Sequence, residues 1–181
     1  LEGHRLVAAQ LPTVFADALN GMRRLVARHR PVMVICVGQA GGRSGISLER
    51  VAINLSDARI ADNAGARPID EPVVARAPAA YFTTLPIKAM LQALQQAGVA
   101  ANVSQTAGTF VCNHVFFGLM HLAARQPRDK KLRGGMVHVP WLPEQGSPSM
   151  ALEEMVRGLE IAVRVALTTH DDLRQSAGAL D

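Results

Sequence analysis

The chain has 181 residues and a formal net charge of +4, with 49% hydrophobic and 19% charged residues. This length and composition are typical of one compact domain with a substantial core, which we expect to span residues 1–181. The sequence contains no internal repeat, linker or low-complexity tract, and its apolar runs are shorter than the ~20 residues of a membrane span. We therefore expect no membrane partner.

The excess positive charge is diffuse. The basic residues form two small groups: Arg23, Arg24, Arg28 and Arg30 in one predicted helix, and Lys130, Lys131 and Arg133 in a loop. Neither group is interleaved with the aromatic side chains that stack on nucleic-acid bases. Charged runs of this kind usually solvate a surface, so we expect no nucleic-acid partner.

Two cysteines, Cys36 and Cys112, are present. They could pair in principle, but two cysteines do not make a disulfide framework, and Cys36 lies in an apolar run typical of a strand. No signal peptide is visible, although the chain begins with Leu rather than Met. We expect a reducing, cytoplasmic location.

The first half of the chain predicts strands alternating with a helix. We expect a strand over Arg5–Gln10, a helix over Val14–His29 that Pro31 terminates, and a buried strand over Val32–Gly38. A glycine-rich loop, residues 39–45, follows. The next segment alternates, with Val51, Ile53 and Leu55 on one face of a strand. Residues 63–84 are rich in Pro, Ala and Asp and predict an irregular functional or interface loop.

The second half continues the alternation. We expect a helix over Leu85–Gln96 with Gly98 just past its end, a short strand over Asn102–Gln105, a helix carrying Cys112, a strand over Gly135–Trp141, and a helix over Met150–Thr169. This order indicates an α/β fold with a mostly parallel sheet covered on both faces. Ligands bind beyond the carboxyl ends of such strands, where the glycine-rich loop and the turn before Cys112 are expected to meet.

Cys112 is a candidate nucleophile because it lies in the first turn of an amphipathic helix. Thr109 is the predicted N-cap, and the unpaired N–H groups of the first turn favour a thiolate. An apolar stripe predicts the buried face of this helix: Val111, Val115, Leu119 and Leu122. The alternative is that Cys112 is a small buried hydrophobic residue, since free cysteines commonly are.

A nucleophilic cysteine needs a base, and His138 is the best placed of six histidines. It lies in an apolar strand near the expected active edge, whereas His114 is about 200° around the helix from Cys112 and His121 is two and a half turns away. His4, His29 and His170 lie in terminal or charged segments. A buried histidine with a satisfied partner is the alternative interpretation of His138.

Glu49 is the candidate carboxylate that orients the base. It has the strand parity of Val51 and Ile53, and a buried carboxylate must be paired. Its partner could be an imidazole, as in a catalytic site. It could also be one of three arginines in a structural ion pair: Arg43, Arg50 or Arg59.

Cofactor signals are weak. The loop from Gly38 to Gly45 lacks the ending of a P-loop and the spacing of a dinucleotide fingerprint. His114, His121 and Glu144 lack metal-ligand spacing. We expect no cofactor and no metal.

Three segments together resemble the pyroglutamyl-peptidase family of cysteine peptidases: ICVGQAGGRSGISLERVAINLSDARIADN, SQTAGTFVCNHVFFGLMH and RGGMVHVPWLPEQ. The resemblance extends from about Gln10 to His170. It implies a three-layer α/β/α sandwich and removal of N-terminal pyroglutamyl (5-oxoprolyl) residues from peptides through a thioacyl-enzyme. It also implies a homo-oligomer, commonly a tetramer.

The resemblance assigns roles to nine residues. The triad falls on Glu49, Cys112 and His138. The substrate site would be lined by Gln39, Arg59, Ile60, Phe110, Val111 and Thr13.

One departure from the family stands out. Its members begin with a strand and a Thr-Gly-Phe-x-Pro-Phe-Gly loop that have no counterpart before Leu1, and we expect that this segment is omitted from the chain. The main alternative function is a catalytically idle homologue that binds pyroglutamyl peptides. A nucleoside- or phosphate-binding enzyme is a further alternative.

Overall fold

The computed structural model describes residues 3–127 and 131–178. Four helices are present in these ranges: α1 Phe15–His29, α2 Ile87–Gln96, α3 Val111–Ala124 and α4 Leu152–Thr168. Six strands accompany them: β1 Met33–Gln39, β2 Ile46–Glu49, β3 Val51–Ile53, β4 Ala80–Phe82, β5 Ala101–Ser104 and β6 Arg133–Val139.

The main sheet has four strands in the order β1-β6-β2-β5. Strand β6 pairs in parallel with β1, and β2 pairs in parallel with β5, while β2 and β6 are antiparallel. The sheet is therefore mixed but mostly parallel. Strands β3 and β4 form a separate antiparallel pair. Since β6 lies between two neighbours, residues Gly134 to Val139 are buried.

Helices cover both faces of the main sheet. Helices α2 and α4 pack on one face, in a core that includes Ile46, Leu94 and Val137. Helices α1 and α3 pack together on the other face, in a core built around Phe116 and Phe117. Helix α3 is apolar around most of its circumference, which is typical of a helix held between two layers. The predicted three-layer α/β/α architecture is confirmed.

The strand predicted over Arg5–Gln10 is wrong. These residues are irregular and exposed, with Leu6 and Val7 among the exposed large hydrophobic side chains. Two apolar residues are too few to define a buried face, and no strand of the described chain pairs with this segment. Strand β1 is consequently an edge strand, only half-buried, rather than the fully buried strand that its apolar run predicts.

The prediction of one continuous alternating strand after the glycine-rich loop is also wrong. The chain breaks at Arg50, so that β2 belongs to the main sheet and β3 to the small one. In β3 the buried residue is Ala52, not its neighbours Val51 and Ile53. Glu49 is buried because all of β2 lies inside the sheet between β5 and β6.

Most other predicted elements are confirmed with shifts of a few residues. Helix α2 ends before Gly98, whose φ of +70° supplies the left-handed turn past the helix end. The irregular segment 63–84 contains no helix, although β4 lies within it.

The two basic groups differ in the structure. The four arginines assigned to the first helix and its end are exposed: Arg23, Arg24, Arg28 and Arg30. Arg133 is not in a solvated loop, because it opens β6 and donates a hydrogen bond to the Thr169 carbonyl. Lys130 lies outside the described residues. Within those residues, no helix combines the length and apolarity that crossing a membrane requires.

Asn113, fully buried beside Cys112, attaches α3 to the small sheet. Its Oδ1 accepts from the Ile53 N–H at 3.0 Å, and its Nδ2 donates to the carbonyls of Ile53 and Leu55, each at 2.9 Å. A buried backbone group without a partner costs about 1–3 kcal/mol. The amide therefore holds the start of α3 in place through three hydrogen bonds.

We predict that Asn113→Ala lowers the free energy of unfolding by about 2 kcal/mol or more, because it leaves buried backbone groups unpaired. Urea unfolding followed by circular dichroism measures the loss. The exposed Asn102→Ala is the control and should change stability by less than about 0.5 kcal/mol. Equal effects of the two substitutions would contradict this role for Asn113.

Candidate active site

Cys112 is the second residue of α3, and its side chain is half-buried. The first hydrogen bond of the helix runs from the His114 N–H to the Phe110 carbonyl. The N–H groups of residues 111–113 therefore precede the helical ladder and have no partner within it. The thiol lies in the positive end of the helix dipole, as the sequence predicts.

The predicted N-cap is wrong. Phe110 occupies the N-cap position, and no side chain caps the helix there. The Thr109 hydroxyl instead donates to the Asp57 carbonyl at 2.6 Å, which ties the turn to the neighbouring loop. Because no side-chain oxygen covers the helix end, its N–H groups remain available to a ligand oxygen.

His138 lies in β6, one of the two central strands of the main sheet, and is only 2% exposed. Its Nδ1 donates to Oε1 of Glu49 at 2.7 Å, and Glu49 is fully buried. The Cys112 thiol lies close enough to the imidazole to change its pKa. The structure thus brings Cys112, His138 and Glu49 together from three different elements.

Burial by itself lowers the pKa of His138, but hydrogen bonds to Cys112 and Glu49, and the charges of both groups, raise it to about 9. The imidazolium is therefore the favoured form at neutral pH when its neighbours are ionised. Such a pairing provides both a nucleophile and a proton donor.

Glu49 has a second partner. Nη1 of Arg43 lies 2.9 Å from the same Oε1 that accepts from His138. The sequence left an imidazole and an arginine as alternative partners of this carboxylate, and both are present. Arg50 and Arg59 are not its ion-pair partners in the described chain.

Gly38 makes the close approach of the thiol and imidazole to β1 possible. It pairs in register with His138 across the β1–β6 ladder. A Cβ atom at this position would lie 3.0 Å from Cys112 Sγ and 3.1 Å from His138 Cδ2. The missing side chain of Gly38, near the end of β1, therefore leaves space for the reacting groups.

The other cysteine lies near the site. Cys36 and Cys112 are both free thiols. Burial raises the pKa of the Cys36 thiol to about 12, and the charge of the neighbouring Cys112 contributes to the shift. Cys36 consequently stays protonated at neutral pH and is a poor nucleophile. Sequence reasoning did not place it beside Cys112.

The remaining histidines have other environments. His114 hydrogen-bonds with the Ser56 hydroxyl at 3.0 Å and packs edge-to-face on Phe15, so it points away from Cys112 as predicted. His121 hydrogen-bonds with the Tyr81 hydroxyl. His4 and His170 are exposed and His29 is half-buried. No group of three metal-ligating side chains was found in the ranges that the structure describes.

Three of the residues that the resemblance assigns to the substrate site are exposed: Thr13, Arg59 and Ile60. Asp62 brings them together, because its Oδ2 accepts from the N–H of Phe15 at the start of α1. The same hydrogen bond is the main cause of a lowered pKa at Asp62. The Asn63 N–H also donates to the Thr13 carbonyl. This buried carboxylate is a positioning feature that sequence reasoning missed.

The other three assigned residues lie nearer the thiol. Phe110 packs edge-to-face on Phe15 with ring centroids 5.3 Å apart, and Val111 is buried in the core beneath α3. Gln39 is exposed, and its Nε2 donates to Oε1 of Gln145 at 2.6 Å. Sequence reasoning assigned no role to Gln145, since a lone glutamine in a proline-containing loop carries no signal.

The site is recognised by its chemistry rather than by the size of a cavity. Two surface depressions, of about 260 Å³ beside Arg50 and about 510 Å³ beside Gly45, include none of Cys112, His138 and Glu49.

We predict that iodoacetamide modifies Cys112 and spares Cys36 in the native protein at pH 7.5, because the raised pKa keeps Cys36 protonated. Peptide mass spectrometry after brief alkylation measures the ratio of the two products. Denatured protein is the control, in which both cysteines should react. Preferential labelling of Cys36 in the native protein would contradict the assignment of Cys112 as the reactive thiol.

Comparison with known proteins shows the family to which the chain belongs. A family model described as pyroglutamyl peptidase matches residues 1–169. The pyrrolidone-carboxylate peptidase of Cupriavidus taiwanensis is 57% identical over 190 residues, covering 99% of this chain and 88% of that protein. The protein of the same name from Bacillus cereus is 50% identical, covering 97% of this chain and 83% of its own length.

Solved structures give the same result. The crystal structure of pyroglutamyl peptidase I from Bacillus amyloliquefaciens superposes with a TM-score of 0.89 at 46% identity, covering 92% of this chain and 80% of that one. Pyrrolidone carboxyl peptidase from Thermococcus litoralis superposes with a TM-score of 0.87 at 36% identity, covering 92% and 81%. The chain belongs to the pyroglutamyl peptidase family.

Proposed function

We propose that this protein is a cysteine peptidase that removes N-terminal pyroglutamyl residues from peptides. The observation that carries the proposal is the Cys112 thiol at the start of α3 beside His138, whose Nδ1 donates to the buried Glu49. A thiol, an imidazole and a carboxylate in this order make up the machinery of nucleophilic acyl transfer. The names of the relatives support the choice of pyroglutamyl peptides as substrates.

The first step forms a thioester. The Cys112 thiolate attacks the pyroglutamyl carbonyl, and the N–H groups at the start of α3 stabilise the developing oxyanion. His138, as the imidazolium, then donates its Nε2 proton to the leaving amine as the carbon–nitrogen bond breaks. The peptide departs with a free amino terminus, and the pyroglutamyl group remains on Sγ.

The second step regenerates the enzyme. Neutral His138 accepts a proton from a water molecule, which attacks the thioester carbonyl. Pyroglutamate is released and Cys112 leaves as the thiolate, so the imidazolium–thiolate pair is restored. Glu49 holds the imidazole in the tautomer with Nδ1 protonated and stabilises the imidazolium.

The lactam ring of the substrate would lie against the assigned lining residues: Thr13, Gln39, Arg59, Ile60, Phe110 and Val111. Phe110 and Ile60 offer apolar surface, while Gln39 offers an amide. Since the pyroglutamyl ring has no free α-amine, the pocket needs no acidic side chain to bind an ammonium group.

The remaining expectations are part of the same proposal. Residues 1–181 act as one peptidase domain, in a cytoplasmic homo-oligomer that is a tetramer by family resemblance. The enzyme needs no cofactor and binds neither nucleic acid nor membranes.

The proposal predicts release of a fluorogenic amine from a pyroglutamyl substrate, abolished by iodoacetamide, with no release from the corresponding prolyl substrate. The prolyl ring differs in lacking the lactam carbonyl and carrying a protonatable amine, so the comparison tests the pocket as well as the thiol. Folded protein without turnover that still binds a pyroglutamyl peptide would favour an idle homologue instead.

Matched variants test the roles of the side chains. Cys112→Ser and His138→Ala should each reduce kcat at least about 10³-fold, because each removes a reacting group. His114→Ala, on the same helix, should keep most of the activity, because His114 pairs with Ser56 and not with the thiol. Equal losses in the two histidine variants would contradict the assignment of His138 as the base.

A further inference from the structure

Arg43 contacts two separate parts of the candidate site. It lies in the loop between β1 and β2, and its side chain is 22% exposed. Its Nη1 lies 2.9 Å from Oε1 of Glu49, and its Nη2 donates to the Thr106 carbonyl at 3.3 Å. Thr106 belongs to the turn that leads into α3 and Cys112. One guanidinium thus links the carboxylate to the turn before the thiol.

The burial of Glu49 makes a permanent cation necessary. The carboxylate is fully buried, and a buried charge without a partner is strongly destabilising. In the proposed mechanism His138 alternates between imidazolium and neutral imidazole, so it cannot supply a positive charge at every step. A guanidinium remains charged throughout. Arg43 is therefore the partner that still places a positive charge beside Glu49 when His138 has given up its proton.

The contacts also fix which carboxylate oxygen faces the imidazole. Oε1 accepts the hydrogen bond from His138 and forms the ion pair with Arg43, whereas Oε2 has no hydrogen-bond partner among the described residues. If the hydrogen bond from His138 to Oε1 were the only contact, the carboxylate could rotate about the Cγ–Cδ bond of Glu49. The guanidinium, itself tied to Thr106, prevents this rotation.

We propose that Arg43 is a positioning residue for catalysis: it holds a permanent positive charge against Glu49, keeps that carboxylate aimed at His138, and couples it to the turn that leads to Cys112. This inference rests on the proposed function. Arg43 acts through Glu49 and does not touch the reacting atoms. Arg43 is therefore a positioning residue and not a further catalytic residue.

The charge of Arg43 has a predictable effect on His138. A cation on the shared oxygen weakens the attraction between Glu49 and the imidazolium, so removing the cation strengthens that attraction. The other titratable group beside His138 is Cys112 from α3, and Cys36 from β1 lies beside Cys112 in turn. Both are unchanged by substitution of Arg43. The neutral variant should therefore hold the His138 proton to a higher pH and release it less readily to a leaving amine.

The experiment compares Arg43→Gln and Arg43→Lys in the full chain. Arg43→Gln should lower kcat about tenfold or more with KM within about twofold, and should move the alkaline limb of the kcat/KM profile to higher pH. Arg43→Lys should keep the alkaline limb at its wild-type pH, because the lysine ammonium supplies the positive charge. It should recover only part of kcat, because a single ammonium cannot contact both Glu49 and the Thr106 carbonyl. Wild-type kcat and an unmoved limb in Arg43→Gln would overturn the proposal.

Arg133→Gln is the matched control, because Arg133 also donates to a backbone carbonyl but has no carboxylate partner in the described chain. It should lower stability without moving the pH profile.

A second readout does not need turnover: the rate of Cys112 alkylation against pH reports on the thiol–imidazole pair directly. If the wild type shows no peptidase activity, the proposed function fails, yet an alkylation profile shifted in Arg43→Gln still supports the positioning role. Identical profiles in the two proteins would overturn it.

Discussion

The hydrogen bond between His138 and the fully buried Glu49 is the constraint on which the site depends. A carboxylate at this depth is unfavourable unless cations and donors surround it, and the fold supplies them from separate elements. The imidazole comes from β6 and the guanidinium of Arg43 from the loop before β2. The antiparallel pairing of β2 with β6 places the carboxylate and the imidazole on adjacent strands.

The same arrangement explains why the thiol lies where it does. Helix α3 is anchored by the buried amide of Asn113, which holds its first turn against Ile53 of the small sheet and against Leu55. Gly38 leaves the space in which the thiol and the imidazole meet. The absence of a side-chain cap at Phe110 then leaves helix N–H groups facing the reaction. The anchored helix, the space at Gly38 and the uncapped N–H groups together determine the surroundings of Cys112.

Much of this could be predicted from the sequence, because the relevant signals are local. The helix that carries Cys112 and the strand that carries His138 are both apolar runs, and such local patterns predict the existence of an element. The spacing of His114 along the helix correctly excluded it as the partner of Cys112. The order of strands and helices was sufficient for the fold class.

The errors concern features that depend on distant partners. Whether residues 5–10 form a strand depends on a neighbouring strand, and the break at Arg50 depends on two sheets diverging. The hydrogen bond of Thr109 with Asp57 displaced an expected cap, and no local rule reveals it. The second contact of Glu49 with Arg43, and the proximity of Cys36 to Cys112, are likewise tertiary facts.

In the proposed mechanism, Cys112 carries the acyl group during turnover. Rapid acid quenching during hydrolysis of an activated pyroglutamyl ester, followed by peptide mass spectrometry, would detect this acyl-enzyme, since a good leaving group makes the second step limiting. We expect a pyroglutamyl adduct on the peptide containing Cys112 that disappears as the substrate is exhausted. An adduct on any other residue, or burst kinetics with Cys112 unmodified, would show that Cys112 is not the acyl carrier.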